Sequence, residues 1–154
     1  MPAANHVEVQ HVFPHPIDRV FRRYTDHEGW SDWAGTGRVR LVREGAPDRN
    51  GVGAVRAFAF PPNLREEVTV FEPPAAGGGS GRMEYRIIQG GGPLVDHLGE
   101  VTFTSQGEST LIVWQISFRS PIPGAGWPLE AALGALFRRM LGGLARDLGP
   151  SNAP

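Results

Sequence analysis

The side chains able to move protons or hold a ligand are few. Zero Cys in 154 residues excludes thiolate catalysis, disulfides, iron–sulfur clusters and Cys-ligated zinc. Among five His, His97 is the candidate for proton transfer. Strand alternation places it on one face with Val101 and Phe103, and imidazole titrates near neutrality. The competing expectation is a strand-end His bonded to backbone or water. Tyr85 shares a face with Met83 and Ile87, where its O–H can serve a carbonyl or enolate oxygen or simply sit at the rim of a core. Arg56 turns inward only if Phe58 and Phe60 do, and the opposing face, Val55, Ala57 and Ala59, is equally apolar; alternation leaves this open. Glu66 and Glu67 are adjacent, so one of them points inward as a candidate base. Glu67 is carried into the candidate site.

Several chemistries lack their pattern. His11 and His15 stand four apart, but Pro14 and Pro16 forbid the helix that would align them on a metal. Gly51-Val52-Gly53-Ala54-Val55-Arg56 lacks the third Gly of a dinucleotide loop, and the 77–81 glycine run precedes no Lys-Ser/Thr. Ser80, Ser105, Ser109 and Ser120 show no nucleophile elbow. The expectation is therefore no metal and no cofactor. A net charge of −1 argues against nucleic acid as a partner. The apolar stretch at the end carries Glu130, Arg138, Arg139, Arg146 and Asp147, which excludes a membrane span. The first residues lack a signal-peptide pattern. The expected location is the cytoplasm, as a monomer or homodimer.

The elements that must position these groups follow from periodicity. Val7 to Phe13 alternates as a strand. Ile17, Val20, Phe21 and Tyr24 fall at helical spacing behind Pro16. The segment from Asp26 to Trp33 is polar, aromatic and broken by Gly29. It reads as a second short helix and a loop, either a lid or an anchor in which a Trp enters the core. Six strands follow, at 38–44, 53–60, 65–72, 82–89, 95–104 and 110–119, separated by Gly- and Pro-rich turns. Such spacing implies an antiparallel meander. Leu129, Leu133, Leu136, Phe137, Met140, Leu144 and Leu148 then make one apolar stripe on a long helix from about Pro128 to Leu148, ended by Gly149-Pro150. Small residues on it, Ala131, Gly134, Ala135, Gly142 and Gly143, either leave room for a ligand or bring the helix close. The chain is expected to be one domain over 1–154, with 149–154 a flexible tail.

The opening His15-Pro16-Ile17-Asp18-Arg19-Val20-Phe21, then Trp30-Ser31-Asp32-Trp33, Gly51-Val52-Gly53-Ala54-Val55-Arg56, Glu67-Val68-Thr69-Val70-Phe71-Glu72-Pro73-Pro74, Met83-Glu84-Tyr85-Arg86 and Thr110-Leu111-Ile112-Val113-Trp114 occur in a telling order. In that order they resemble the START-like superfamily, and within it the SRPBCC proteins of polyketide cyclase/dehydrase type. The likeness spans about Val7 to Leu148. It implies an α+β helix-grip fold: a curved antiparallel sheet of about seven strands around a long C-terminal helix, with two short helices after the first strand. It further implies an internal cavity for a hydrophobic or aromatic small molecule, and cofactor-free cyclisation or dehydration in the catalytic members. A carrier or sensor of lipids, quinones or other metabolites, and an interaction module of chaperone-activator type, are the alternatives on the same scaffold. An exposed apolar sheet face at Leu111 and Val113 would favour the last of these.

With that fold, Tyr85, His97 and Arg56 are the expected polar or catalytic residues. The expected ligand wall comprises Trp30, Trp33, Phe58, Glu67, Met83, Ile87, Val101, Phe103, Ile112, Trp114, Ile116, Phe118, Phe137 and Met140.

Overall fold

Pro14 and Pro16 end β1 (Asn5–Phe13) and turn the chain into α1 (Ile17–Thr25), because Pro cannot continue the strand ladder. The computed structural model describes residues 4–76 and 78–151. Gly77 and residues 152–154, which the sequence places in a hairpin connection and in the tail, lie outside the described residues. The apolar stripe of α1 is buried at Ile17, Val20, Phe21 and Tyr24. A turn leads to α2 (Trp30–Trp33), followed by β2 (Val39–Arg43), β3 (Val55–Phe58), β4 (Arg65–Glu72), β5 (Ser80–Gln89), β6 (Val95–Gln106), β7 (Ser109–Arg119) and α3 (Gly126–Leu148).

The strands form one antiparallel sheet in the order β1-β7-β6-β5-β4-β3-β2. From β2 to β7 each strand pairs with its sequence neighbour, and β1 closes the far edge on β7 through pairs such as Val9↔Trp114. Alternation then decides which side chains face α3. Met83, Tyr85, Val101, Phe103, Ile112, Trp114, Ile116 and Phe118 are all buried, and the register stacks them in rows: Tyr85↔Gly99, Met83↔Val101 and Phe103↔Ile112. Val95 departs from the alternation and is exposed. Asp96 takes φ 53° and the register slips between Val95 and Leu98, so the inward face starts at His97. This is the helix-grip fold.

Helix α3 starts at Gly126, two residues ahead of Pro128; Pro128 stays in the first turn, where no N–H is required of it. Its stripe is buried through Phe137, Met140, Leu141, Leu144 and Leu148. Phe137 stacks on Trp114 with centroids 4.2 Å apart and an interplanar angle of 10°, tying helix to sheet. Gly143 shows what one of the small residues does. A Cβ there would run into the Trp33 carbonyl oxygen, so Gly143 brings α3 onto α2 instead of leaving space for a ligand. The helix ends at Gly149, φ 75°, whose carbonyl accepts a 2.7 Å bond from His15 Nε2. Arg19 adds a bond to the Leu148 carbonyl, and Arg23 pairs with Asp147 at 2.7 Å. The C-terminus of α3 is thereby fastened to α1. None of the described helices is long and apolar enough to cross a membrane.

Candidate functional site

Near the N-terminal half of α3 the helix and sheet do not meet fully. A cavity of about 230 Å³ remains. Leu133, Leu136, Phe137 and Met140 form its helical wall; Phe58, Tyr85, Ile87, Trp114 and Ile116 form its sheet wall. Trp30 closes the inner end. The loops at 59–64 and 90–94 contribute Phe60, Pro61, Leu64, Gly90, Gly91 and Leu94. Phe60 is 71% exposed and stands at the opening.

The polar groups gather at one corner. Glu66 lines the cavity, and its Oε1 accepts a 2.9 Å bond from Arg56 Nε. Arg56 Nη2 lies 2.8 Å from the same oxygen but is too poorly aligned for a hydrogen bond, so that nitrogen is unpartnered. Arg56 is 1% exposed. Its guanidinium lies over Trp30 at 4.2 Å, Tyr85 at 4.9 Å and Phe58 at 5.5 Å, a cation–π cage. Arg56 Nη1 donates to His27 Nδ1 at 3.3 Å, and His27 Nε2–H donates to the Asn50 carbonyl at 2.8 Å. These bonds assign His27 as a neutral imidazole. Burial, aided by the Arg56 charge, lowers its pKa to about 3.

Burial also pushes the Glu66 carboxyl above its usual range, with Arg56 opposing. Glu66 remains a carboxylate at neutral pH, since protonation would strand the permanent Arg56 charge in a dry interior. Tyr85 accepts a 2.7 Å hydrogen bond from Trp114 Nε1–H. Burial, then the nearby Glu66 charge, raises its phenol well above the ordinary value. His97 Nδ1 accepts from the Ile87 N–H at 3.3 Å. Burial first, then Arg56 and Arg86, lowers His97 to about 4. His97 is therefore neutral at neutral pH and acts there as a hydrogen-bonding group.

Of the residues expected at the site, Trp30, Phe58, Tyr85, Ile87, His97, Trp114, Ile116, Phe137 and Met140 line the cavity together. Arg56 sits behind that wall, holding Glu66. Trp33, Met83, Val101, Phe103, Ile112 and Phe118 are core residues away from the cavity. Rings from α1 and α2 fill that part of the interior: Phe21 meets Phe103 at 4.9 Å, and Tyr24 meets both Phe103 and Trp33. Glu67 points outward and pairs with Arg43. The inward carboxylate is Glu66: it stands two residues from Val68, and alternation along β4 turns both to the interior, where they are buried. The segment from Asp26 to Trp33 is an anchor: Trp30 and Trp33 are both buried, and Trp30 Nε1–H donates to the Tyr24 carbonyl at 2.7 Å. Leu111 and Val113 are half-buried, so this part of the outer sheet face is not an exposed apolar surface.

A family model described as polyketide cyclase / dehydrase and lipid transport matches residues 4–149. The chain belongs to this family. No curated protein matches it. Solved structures share the fold at low identity. A solution structure from Thermobifida fusca has a TM-score of 0.75 at 19% identity and covers 96% of this chain and 97% of its own. The Zhui aromatase/cyclase from a Streptomyces species has a TM-score of 0.69 at 18% identity, covering 94% and 93%. A START superfamily protein from Mycobacterium smegmatis has a TM-score of 0.67 at 12% identity, covering 93% and 96%.

Membership of this family leaves the particular polar corner to this chain's own residues. His27 is its member with least signal in the sequence. It lies in a turn 29 residues from Arg56, and no periodicity relates the two. Thr36, whose Oγ1 is buried without a partner, lines the cavity for the same reason: a loop delivers it.

Gly99 is the other hidden contributor. A Cβ there would fall inside the ring of Tyr85, its cross-strand partner. Gly99→Ala is expected to displace the phenol from Trp114 and to cost about 1–3 kcal/mol. Denaturant unfolding checks the cost, and the Trp emission spectrum reports the lost Trp114 partner. An unchanged midpoint and spectrum would show that Tyr85 does not need that space.

Proposed function

We propose that this protein binds a small hydrophobic or aromatic molecule in the cavity between α3 and the sheet. The observation that carries this reading is the cavity itself: about 230 Å³, walled mostly by aromatic and aliphatic side chains, with Thr36, Glu66, Tyr85 and His97 its few polar groups. Such sites take apolar ligands and use the few polar groups to orient them. An apolar cavity of about 150 Å³ accepts benzene, so the space here suits one or two rings. Family membership supports the same reading. Its catalytic form is cofactor-free cyclisation or dehydration of a polyketide-like chain. Glu66 is then the proton acceptor, and Tyr85 the O–H donor to a carbonyl oxygen, with water excluded by the aromatic wall.

Native mass spectrometry of freshly purified protein is expected to reveal a co-purifying small molecule. An added aromatic ligand is expected to quench or shift Trp fluorescence through Trp114, and Trp114→Phe to remove much of that change. Protein that arrives empty and binds no apolar probe would sink the reading.

A further inference from the structure

Resting on that reading of the cavity, we propose that Glu66 selects the charge of the ligand. The site takes a neutral aromatic molecule carrying one hydroxyl donor, a phenol or an enol, and turns carboxylates away. Among the described residues Glu66 supplies the only formal charge on the wall: no Arg, Lys or Asp is among those lining the cavity. The balancing Arg56 is behind it, bonded to Oε1 and covered by Trp30, Tyr85 and Phe58. Arg56 is thus committed to holding Glu66 and does not face the ligand. Glu66 Oε2 has no hydrogen-bond donor among the described residues.

The neighbouring donor is Tyr85. Its oxygen accepts from Trp114, which leaves its own proton to give. Glu66 and Tyr85 meet the same guanidinium: Arg56 Nε is 2.9 Å from Glu66 Oε1, and Arg56 Cζ is 4.9 Å from the centre of the Tyr85 ring. The wall therefore offers one charged acceptor, Glu66, with Tyr85 as the neutral donor beside it; His97 and Thr36 are the other neutral polar groups lining the cavity. A ligand hydroxyl answers both: it donates to Glu66 Oε2 and accepts from Tyr85. A bond to a desolvated carboxylate is charge-assisted and roughly twice as strong as a neutral one. A carbonyl uses only Tyr85 and leaves Glu66 unanswered. A carboxylate faces a like charge in a site with little water to screen it. An ammonium group would add a second positive charge beside Arg56.

Calorimetric titration of the full chain at neutral pH with naphthalene, naphthol and naphthoate tests this. These probes share one ring system and differ only in the polar group. Naphthol is expected to bind at least about tenfold tighter than naphthalene, and naphthoate more weakly than either. Glu66→Gln is expected to narrow the gap between naphthoate and naphthalene. Tyr85→Phe is expected to keep the rejection of naphthoate while losing part of the naphthol advantage. The ranking of the three probes on the unaltered protein decides the matter even where a variant fails to fold. Naphthoate binding as tightly as naphthol, with naphthalene also bound, overturns the charge selection and leaves the apolar cavity standing. Binding of none of the three overturns both.

Discussion

Glu66→Ala is expected to lower the unfolding free energy by about 3–5 kcal/mol. The loss comes from what remains, not only from what is removed. Arg56 is 1% exposed and is held over three rings, with Glu66 as its only carboxylate partner among the described residues. Without Glu66 its charge stays buried, because a guanidinium cannot deprotonate. His27 cannot take over: it meets Arg56 as a neutral acceptor at 3.3 Å, and a proton on it would add to the charge. Replacing both members, Arg56→Met with Glu66→Leu, is expected to cost far less than the sum of the two single changes, since no unpaired charge is left behind. A double-mutant cycle in denaturant measures the coupling. A Glu66→Ala cost under about 1 kcal/mol would mean that water reaches the pair and that the cavity corner is wet.

Stability is expected to fall steeply as the pH drops from the ordinary histidine value of 6.5 toward 3. The folded protein holds His27 neutral down to about 3, whereas the unfolded chain takes up the proton near 6.5. The unfolded state therefore binds more protons throughout that window, and acid favours it. The stability linked to His27 is full above 6.5 and is lost progressively as the pH falls through the window. At about 1.4 kcal/mol per pH unit, it amounts to about 4–5 kcal/mol. His97, lowered to about 4, acts in the same direction over a narrower range. Glu66 acts oppositely: its raised carboxyl binds a proton in the folded state before the unfolded one does, so its contribution favours folding at low pH. Urea midpoints at about pH 7, 5 and 4 check the slope. His27→Gln keeps a donor for the Asn50 carbonyl and is expected to flatten it. An unchanged wild-type midpoint from neutral to acid pH would show that His27 is not held neutral in the interior.

Periodicity alone carries much of this protein. Alternation in β5 to β7 and the 3,4-spaced stripe of α3 are properties of neighbouring residues. They determine which face is apolar before any tertiary contact forms. Hence Tyr85, Trp114 and Phe137 could be placed in one interior, with seven strands and a long helix around it. Three things were beyond that reach. The first is the choice between Glu66 and Glu67: apolar residues stand on both faces of β4, Val68 and Val70 on one and Phe71 on the other, and the packing of the sheet makes the face of Val68 and Glu66 the buried one. The second is how much of the interior stays open. Met83, Val101, Phe103 and Ile112 face inward as alternation says, yet Phe21, Tyr24 and Trp33 pack into their half of the space. The half beneath Leu133 and Leu136 remains open, because volume is settled by which helix lies over which row. The third is the polar corner. Arg56, Glu66 and His27 come from two strands and a turn, and their meeting depends on the sheet's pairing and on the path of the turn around Trp30. What the sequence determined by itself are the faces of its elements, which local spacing encodes. The pairing of charges and the shape of the remaining space belong to the tertiary structure, because both arise between residues that no local pattern relates.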